Sequence, residues 1–470
     1  MRSPWLWRGD DRLRDALLVG LLLRVVPMLV WVDKPCLRDE CTYVRMADAM
    51  LDGRGVVPTH GWLWAPAYPA LMALHGALTG YPASVQVTQL VCAGVTTWLL
   101  HALGEELFGV DDAARGRAVG RAAAWLYVLN PTFVFYTSSV WSEVIYATLL
   151  VGATRALLRA RDGSARAAAL AGVCIGACVL LRGIATYMLP VLVVALVAGR
   201  GTSPAAWRSA AALVLSAALV VAPYSAWASW RFGGLVVSDR TLGQMMWSGN
   251  NVFPPLSYDY GNGILNPELH DRIVALGRVG CDTPADPVRQ DACELRAGLE
   301  WIQANPGEFL ARAPLRVSQM VTPHSFLTRH LRLGRWHGLP AWAREALIVA
   351  VPVFTGINLV IGTLGFFAYA TDPERRTWAL ATGGVVLYHV AAIAALAGLS
   401  RFRLPLEPLW MVWAAAALTR PREAAARLGS RRPFVVFGLV VTAILLVLMA
   451  RFAPAAWWPR PSHWWLERGW

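Results

Sequence analysis

The sequence has little charge for its length, and Lys34 is its single lysine. Asp, Glu, Lys and Arg make up 16% of the 470 residues, against roughly 25% in an ordinary soluble domain. Hydrophobic residues make up 56%, and 23 residues are tryptophan. This composition excludes a soluble enzyme, a disordered scaffold and a small secreted module held together by disulfides. The chain is predicted to be a polytopic membrane protein.

Several motifs that carry chemistry are also missing. No Gly-rich phosphate loop stands between a strand and a helix, so the chain lacks the usual machinery for nucleotide hydrolysis. There is no HExxH, CxxC or Asp-x-Asp motif, and the nine histidines show no spacing typical of metal ligands. A metal-dependent reaction on a nucleotide sugar is therefore disfavoured, and we expect no metal and no cofactor.

The charge that is present is mostly arginine, with a formal net charge of +13. Much of it lies in short segments between apolar runs, as expected for the cytoplasmic loops of a membrane protein. We therefore expect membrane lipids, and no nucleic acid, as the partner of this basic chain.

Long apolar runs predict an all-α membrane protein. A spanning helix needs about 20 mostly apolar residues, and about eleven runs approach that length. They lie at 16–32, 84–104, 119–137, 140–158, 167–183, 184–199, 209–228, 343–370, 377–397, 404–419 and 433–452. The first run carries Arg24 and no small-residue cleavage site follows it, so it is expected to be an anchor and not a removable signal.

The arginines predict the orientation and the domain organisation. With a cytoplasmic N-terminus, the arginine-rich short loops all lie inside, which suits a multi-pass protein of the cell (inner or plasma) membrane. The chain then divides into an N-terminal transmembrane module with an external loop 33–83, an external loop or lid, C-terminal transmembrane helices, and an external tail at the membrane interface. These parts comprise residues 1–228, 229–342, 343–452 and 453–470.

Four of the seven cysteines lie in the two external segments: Cys36, Cys41, Cys281 and Cys293. Their placement in an oxidising compartment suggests disulfides. The pairs Cys36–Cys41 and Cys281–Cys293 are one possibility; pairing between the two segments and free thiols are the others.

The first external loop carries adjacent carboxylates, Asp39 and Glu40, directly after the first span. Apolar residues at helical spacing predict an amphipathic helix over 40–52 on the membrane surface. Asp39 at its start could be a simple N-cap, and Glu40 a favourable first-turn charge. Alternatively, Asp39 could take a proton from a hydroxyl group at the membrane interface.

Four further residues suggest a site on the same face. Glu143 follows the short external turn between two spans, where an acidic side chain is costly unless it is paired or used; a favourable helix start is the alternative. Arg401 and Arg403 occupy a short external loop, and Arg182 ends a span. Paired arginine donors suit a phosphate, whereas contact with lipid headgroups is the simpler interpretation.

An ordered set of motifs resembles the GT-C glycosyltransferases, and most closely the protein O-mannosyltransferase and aminoarabinose-transferase group (glycosyltransferase family 39-like). It comprises the Asp-Glu pair with Tyr43, the Pro66-Ala-Tyr68-Pro69 element, the Gly-x3-Gly…Arg span ending at Arg182, Ser248-Gly-Asn-Asn251, and Arg401-Phe-Arg-Leu-Pro405. The similarity covers most of 16–420.

The resemblance implies a GT-C fold and inverting transfer of a sugar from a polyprenyl-phosphate donor to an acceptor of the cell envelope (a lipid, a glycan or a protein), on the extracytoplasmic face. By position, it implies that Asp39 is the general base, with Glu40 supporting it and Glu143 as a second acidic residue. Tyr43 and His60 are candidates for positioning the substrate.

The chain lacks two basic residues that some relatives carry and that could bind the donor phosphate. Some relatives carry arginine where Thr42 stands and a lysine in the proline-rich element, which here has none. Arg45, Arg182, Arg401 and Arg403 are therefore the candidate ligands of the donor phosphate. A transporter or flippase is the competing class, although the two halves show no convincing repeat and the notable charges cluster at the outer surface and not at the midplane.

Overall fold

The computed structural model describes residues 11–31, 36, 39–59, 61–110, 112–161, 163–201, 203–251, 281, 286–323, 326–332, 336–429 and 432–457. His60 and residues 458–470 of the predicted tail lie outside these residues. The described residues are mainly helical, and they contain only two isolated β-bridges, Thr59–Trp62 and Leu63–Arg240.

Twenty α-helices form the described part of the chain. They are α1 (Asp11–Val30), α2 (Asp39–Leu51), α3 (Ala67–Thr79), α4 (Gln86–Phe108), α5 (Ala113–Leu129), α6 (Pro131–Thr137), α7 (Glu143–Ala160), α8 (Ala165–Leu181), α9 (Met188–Arg200), α10 (Pro204–Phe232), α11 (Leu242–Gly249), α12 (Pro287–Ala304), α13 (Pro306–Val321), α14 (Phe326–Arg332), α15 (Ala341–Gly356), α16 (Gly362–Tyr369), α17 (Arg376–Ala395), α18 (Glu407–Thr419), α19 (Pro421–Leu428) and α20 (Pro433–Trp457).

Each predicted span overlaps one of these helices or a consecutive pair of them. Five helical segments among the described residues are long and apolar enough to cross a membrane, and two further apolar helices are shorter. The five are Ala83–Phe108, Pro204–Phe232, Ala341–Tyr369, Pro373–Ala395 and Pro433–Ala450. The all-α, multi-helix class is confirmed, whereas the count of eleven spans stays a prediction.

The bundle core is built by close helix packing around α4, α5, α7 and α18. A Cβ atom at Gly104 of α4 would lie 2.3 Å from the Cα atom of Gly120 in α5, so only glycine permits this approach of the two backbones. Arg24 is enclosed where α1 meets α5, and it donates to the carbonyl groups of Gly20, Tyr127 and Val128. Its partners are thus backbone oxygens and not a carboxylate.

Charged groups concentrate at the two ends of the bundle. Glu143 begins α7, whereas Arg155 and Arg159 lie near the other end of that helix and both pair with Glu106. At the Glu143 end lie Asp39, Arg182 and Arg401. The structure therefore brings together the residues that the arginine pattern had placed on one face; which side of the membrane that face meets stays a prediction.

The external segment predicted at 229–342 contains α11, α12, α13 and α14, and it contacts the first loop. The indole nitrogen of Trp62 donates to Glu294 in α12 at 2.9 Å, and the backbone of Arg240 donates to Leu63. The disulfides are Cys36–Cys41 and Cys281–Cys293, so each closes within its own segment. The alternatives of pairing between segments and of free thiols at these four positions are wrong.

Candidate active site

Helix α2 places the first carboxylate. It spans Asp39–Leu51, one residue earlier than predicted, and buries Met46, Ala47 and Ala49 on one face. The helix ends where Gly53 adopts a φ of 75°, a conformation that glycine tolerates because it has no Cβ atom. Asp39 is therefore the first residue of the helix, and the Cys36–Cys41 disulfide encloses it in a short covalent ring.

Four charged side chains form a continuous row. Nη1 of Arg401 lies 2.5 Å from Oδ2 of Asp39, and Nε of the same guanidinium donates to Oε1 of Glu143. Arg182 donates from Nη1 to that same Glu143 oxygen at 2.6 Å. The row thus alternates in sign from Asp39 to Arg182 and its formal charges cancel. The four residues come from α2, from the end of α8, from the start of α7 and from a turn before α18.

Arg401 is the centre of this row. It lies in a 3-10 turn over Ser400–Leu406 and stacks over the ring of Trp141, with 4.1 Å between the guanidinium carbon and the ring centroid. Burial lowers the pKa of Arg401, but Glu143 and Asp39 more than offset this effect and raise it above the usual value. Its side chain is only 6% exposed, so the proposed contact with lipid headgroups is wrong for this residue.

Glu143 is enclosed, with 1% of its side chain exposed. Ser142 precedes it without making a side-chain capping bond. Oε1 is shared between the two arginines, whereas Oε2 has no hydrogen-bond partner in the described part of the chain. Glu143 is therefore bound into the site and does not merely begin a helix.

Glu40 and Tyr43 lie buried on the same helix as Asp39. Glu40 is fully buried and accepts the backbone N–H of Val140 at 3.0 Å, which ties α2 to the turn before Glu143. Tyr43 packs edge-on against Trp64 and Tyr68, and burial raises the pKa of its phenol. The structure thus brings Tyr43 to the site, whereas Glu40 lies behind it.

Arg403 and Arg45 lie apart from the row. Arg403 is 2% exposed and is held by Glu407 at 2.8 Å, by the carbonyl oxygens of Met320 and Thr322, and by Thr355. These contacts satisfy a buried guanidinium, and they also rule out contact with headgroups. Arg45 is exposed, and its Nε donates to the carbonyl of Cys41 at 3.3 Å.

A cavity of about 490 Å³ opens beside the row. Asp39, Arg182 and Arg401 line it, together with Asp239 and His389. Apolar side chains complete the wall, among them Leu181, Leu235, Leu295, Ile393 and Phe402. The cavity is large enough for a small polar ligand and has apolar surface for an attached chain.

Sequence reasoning missed several of these lining residues. Trp141 lies two residues before Glu143, but its stacking on Arg401 depends on a contact across 260 positions of chain. His389 had a usable signal, because an ionisable residue inside a predicted span marks a functional position by default. Asp239 had none, since it follows a span in a loop of ordinary polar composition.

No group of three or more His, Cys, Asp or Glu side chains within the described ranges could hold a metal ion.

No family model matches the sequence, and no curated protein sequence matches it. Among solved structures, the oligosaccharyltransferase of Archaeoglobus fulgidus in the apo form is similar over 97% of this chain and 56% of its own, with a TM-score of 0.50 and 14% identity. The same enzyme with a tethered acceptor peptide gives a TM-score of 0.51 at 15% identity, over 95% and 55% of the two chains.

A weaker similarity is to ArnT from Cupriavidus metallidurans bound to undecaprenyl phosphate, with a TM-score of 0.41 and 12% identity over 92% of this chain and 88% of that one. The chain spans a little more than half the length of the oligosaccharyltransferase that it matches. At these identities the two oligosaccharyltransferase comparisons show the fold alone, and that fold is the GT-C fold.

Proposed function

We propose that the chain is an inverting membrane glycosyltransferase, which moves a sugar from a polyprenyl-phosphate donor to an acceptor of the cell envelope on the extracytoplasmic face. The observation that carries this proposal is the placement of Asp39 and two arginines on the wall of one cavity, at one end of a GT-C bundle. The nature of the acceptor, whether a lipid, a glycan or a protein, is left open.

Asp39 has the exposure that a general base needs. Its side chain is 30% exposed, whereas that of Glu143 is 1% exposed and that of Glu40 is fully buried. A base must reach the proton that it removes. Asp39 is thus the acid that can meet an acceptor hydroxyl group, and Glu143 serves to hold the arginines.

The reaction needs no change of oxidation state. The acceptor oxygen attacks the anomeric carbon, its proton passes to the Asp39 carboxylate, and the bond from the anomeric carbon to the phosphate oxygen breaks with its electron pair leaving on that oxygen. Attack on the face opposite the phosphate inverts the configuration. The polyprenyl phosphate that leaves carries the negative charge that forms in the transition state.

Arg182 and Arg401 are placed to bind that phosphate. A guanidinium has five N–H donors, and Arg182 uses one of them on Glu143 in the described structure. Its side chain is 16% exposed and lines the cavity. Fixed donors that meet developing charge in a partly dry site are usually the largest source of rate enhancement. Arg403 has no part in this scheme because the protein itself occupies its donors.

The segment 229–342 supplies the other wall of the cavity, through Ser238, Arg240 and Gln244, and through Asp291 of α12. We assign it the role of a lid that selects the acceptor. Its contacts with the first loop at Trp62 and Leu63 would couple the lid to the helix that carries Asp39.

The test is sugar transfer by the purified protein in nanodiscs, with a panel of polyprenyl-phosphate sugars that includes hexoses and a pentose. We expect the wild type to transfer or slowly hydrolyse one of these donors. Asp39→Asn should reduce the rate by roughly 10²–10⁴, the usual contribution of general base catalysis. Asp48→Asn, an exposed aspartate on the same helix, is the matched control and should keep the wild-type rate.

Equal turnover by wild type and Asp39→Asn would show that another group is the base. Uptake of a substrate by proteoliposomes, without cleavage of any donor, would show instead that the chain is a transporter or flippase.

A further inference from the structure

A buried imidazole lies in the wall of the cavity. His389 is on α17, is 2% exposed and lines the cavity near Arg182. Its Nδ1 lies 2.7 Å from the carbonyl oxygen of Val385, one helical turn earlier. Its Nε2 has no hydrogen-bond partner in the described part of the chain.

The contact with Val385 sets the hydrogen-bonding character of the free nitrogen. A carbonyl oxygen can only accept, so Nδ1 must carry the hydrogen. In the neutral ring Nε2 is then a hydrogen-bond acceptor with a fixed direction, because the Nδ1 contact holds the ring plane. Leaving such a buried acceptor unpaired is unfavourable, and the helix that carries it is apolar enough to span a membrane. A buried, unpaired acceptor beside the cavity is available to a hydroxyl group of a ligand.

A second residue of the cavity wall offers an unpaired hydrogen-bond donor in place of an acceptor. The indole nitrogen of Trp64, which can only donate, is also without a hydrogen-bond partner in the described residues. Tyr388, next to the imidazole, is already used, since its hydroxyl donates to the carbonyl of Ile184 at 2.7 Å. An unpaired acceptor together with an unpaired donor matches hydroxyl groups, which both donate and accept, better than it matches a purely anionic or cationic ligand.

We propose that His389 recognises the sugar: its Nε2 accepts a hydrogen bond from a hydroxyl group of the glycosyl unit held in the cavity. This inference rests on the proposed function and adds to it a residue that distinguishes the sugar from its lipid phosphate. The arginine row binds the phosphate and His389 binds the polyhydroxylated part.

The experiment compares two ligands and two variants in nanodiscs. The ligands are the polyprenyl-phosphate sugar that the wild type turns over and the same polyprenyl phosphate without a sugar. His389→Asn keeps a donor near the Nδ1 position and removes the acceptor at Nε2, whereas His389→Gln can return an amide oxygen to the Nε2 position. Dissociation constants are measured by a direct binding method, and unfolding temperatures are measured in parallel.

We expect His389→Asn to bind the sugar-bearing lipid roughly tenfold more weakly, as loss of one net hydrogen bond implies, and to bind the bare lipid phosphate as the wild type does. His389→Gln should recover much of the difference. Equal weakening toward both ligands, or no change toward either, would overturn the assignment of His389 and leave the proposed function standing if the wild type still transfers sugar. If the wild type binds no sugar-bearing lipid of the panel, the proposed function and the role of His389 both fail.

Discussion

Nη1 of Arg401 lies 2.5 Å from Oδ2 of Asp39, although 362 positions of chain separate the two residues. The contact joins the first helix after the first span to a turn near the end of the bundle. It gives the proposed base a cation as its immediate neighbour and places a candidate phosphate ligand beside the point of proton removal.

The first prediction concerns Arg401. In Arg401→Lys, the lysine lacks the planar guanidinium whose separate N–H groups reach both Asp39 and Glu143. Arg401→Gln removes the positive charge altogether and leaves Arg182 as the cation that pairs with Glu143. Breaking a buried ion pair typically costs about 3–5 kcal/mol. We expect both variants to unfold at a lower temperature and to lose turnover, with the larger loss for Gln.

A double-mutant cycle with Glu143→Gln tests the interpretation of Arg401. Side chains in direct contact show coupling energies of roughly 0.5–3 kcal/mol. If the changes in unfolding free energy caused by the two substitutions simply add, the contact between Arg401 and Glu143 is contradicted.

The second prediction separates structure from catalysis at Glu40. Its Oε1 accepts the N–H of Val140, and the amide oxygen of Glu40→Gln can do the same. We expect Gln to keep both stability and turnover. Glu40→Ala leaves a buried N–H group without its acceptor, at a cost of about 1–3 kcal/mol. A Gln variant that folds as well as the wild type and yet has lost turnover would assign Glu40 to the chemistry instead.

The third prediction concerns the Cys36–Cys41 disulfide, which encloses Asp39. A cross-link over so short a loop is expected to contribute about 2 kcal/mol in the chain-entropy description. Removing this disulfide with Cys36→Ser and Cys41→Ser should therefore lower the unfolding temperature only slightly. Turnover should fall strongly, because the proposed base loses its covalent tether. The matched control is Cys281→Ser with Cys293→Ser, which removes the disulfide of the other segment. This pair should lower the unfolding temperature and have a smaller effect on turnover. The same change in turnover for both pairs would contradict a specific role of the first bridge.

The fourth prediction is a pH dependence at Asp239. The pKa of this carboxyl is raised to about 6. Burial is the main cause and Asp291 adds to it, whereas the N–H of Gly183, Thr241 and Arg182 act in the opposite direction. Because this pKa lies above the reference value of 3.8, the protonated form stabilises the fold. That contribution is fully present below pH 3.8 and is lost as the pH rises through about 6.

Asp239→Asn tests this pH dependence, since the amide stays neutral and can still accept from Gly183. Relative to this variant, the wild type should lose unfolding free energy as the pH rises, by on the order of 3 kcal/mol between pH 4 and pH 8. A difference that stays constant over this range would show that Asp239 does not titrate there.

Much of the fold could be read from the sequence. Apolar runs of membrane length predict helices because a backbone in lipid must satisfy its hydrogen bonds within the segment. The arginine pattern also predicted that Asp39, Glu143 and Arg401 lie at one end of the bundle, and the structure brings them together. The two disulfides were among the possibilities that cysteine placement allowed.

The roles of the arginines could not be read in this way. Arg401 and Arg403 are two positions apart in one short turn, and their surroundings in the sequence are almost the same. One pairs with the carboxylates of the cavity, and the other is bound by Glu407 and by backbone carbonyls. The direction of each side chain in the turn decides this difference.

The sequence by itself therefore determined that this is a helical membrane protein with acidic and basic groups on one face, because composition and periodicity act locally along the chain. Tertiary structure alone decided which charges meet. Helix packing between segments hundreds of residues apart places Asp39, Arg401, Glu143 and Arg182 in one row, and it leaves His389 with an unpaired nitrogen in the cavity wall.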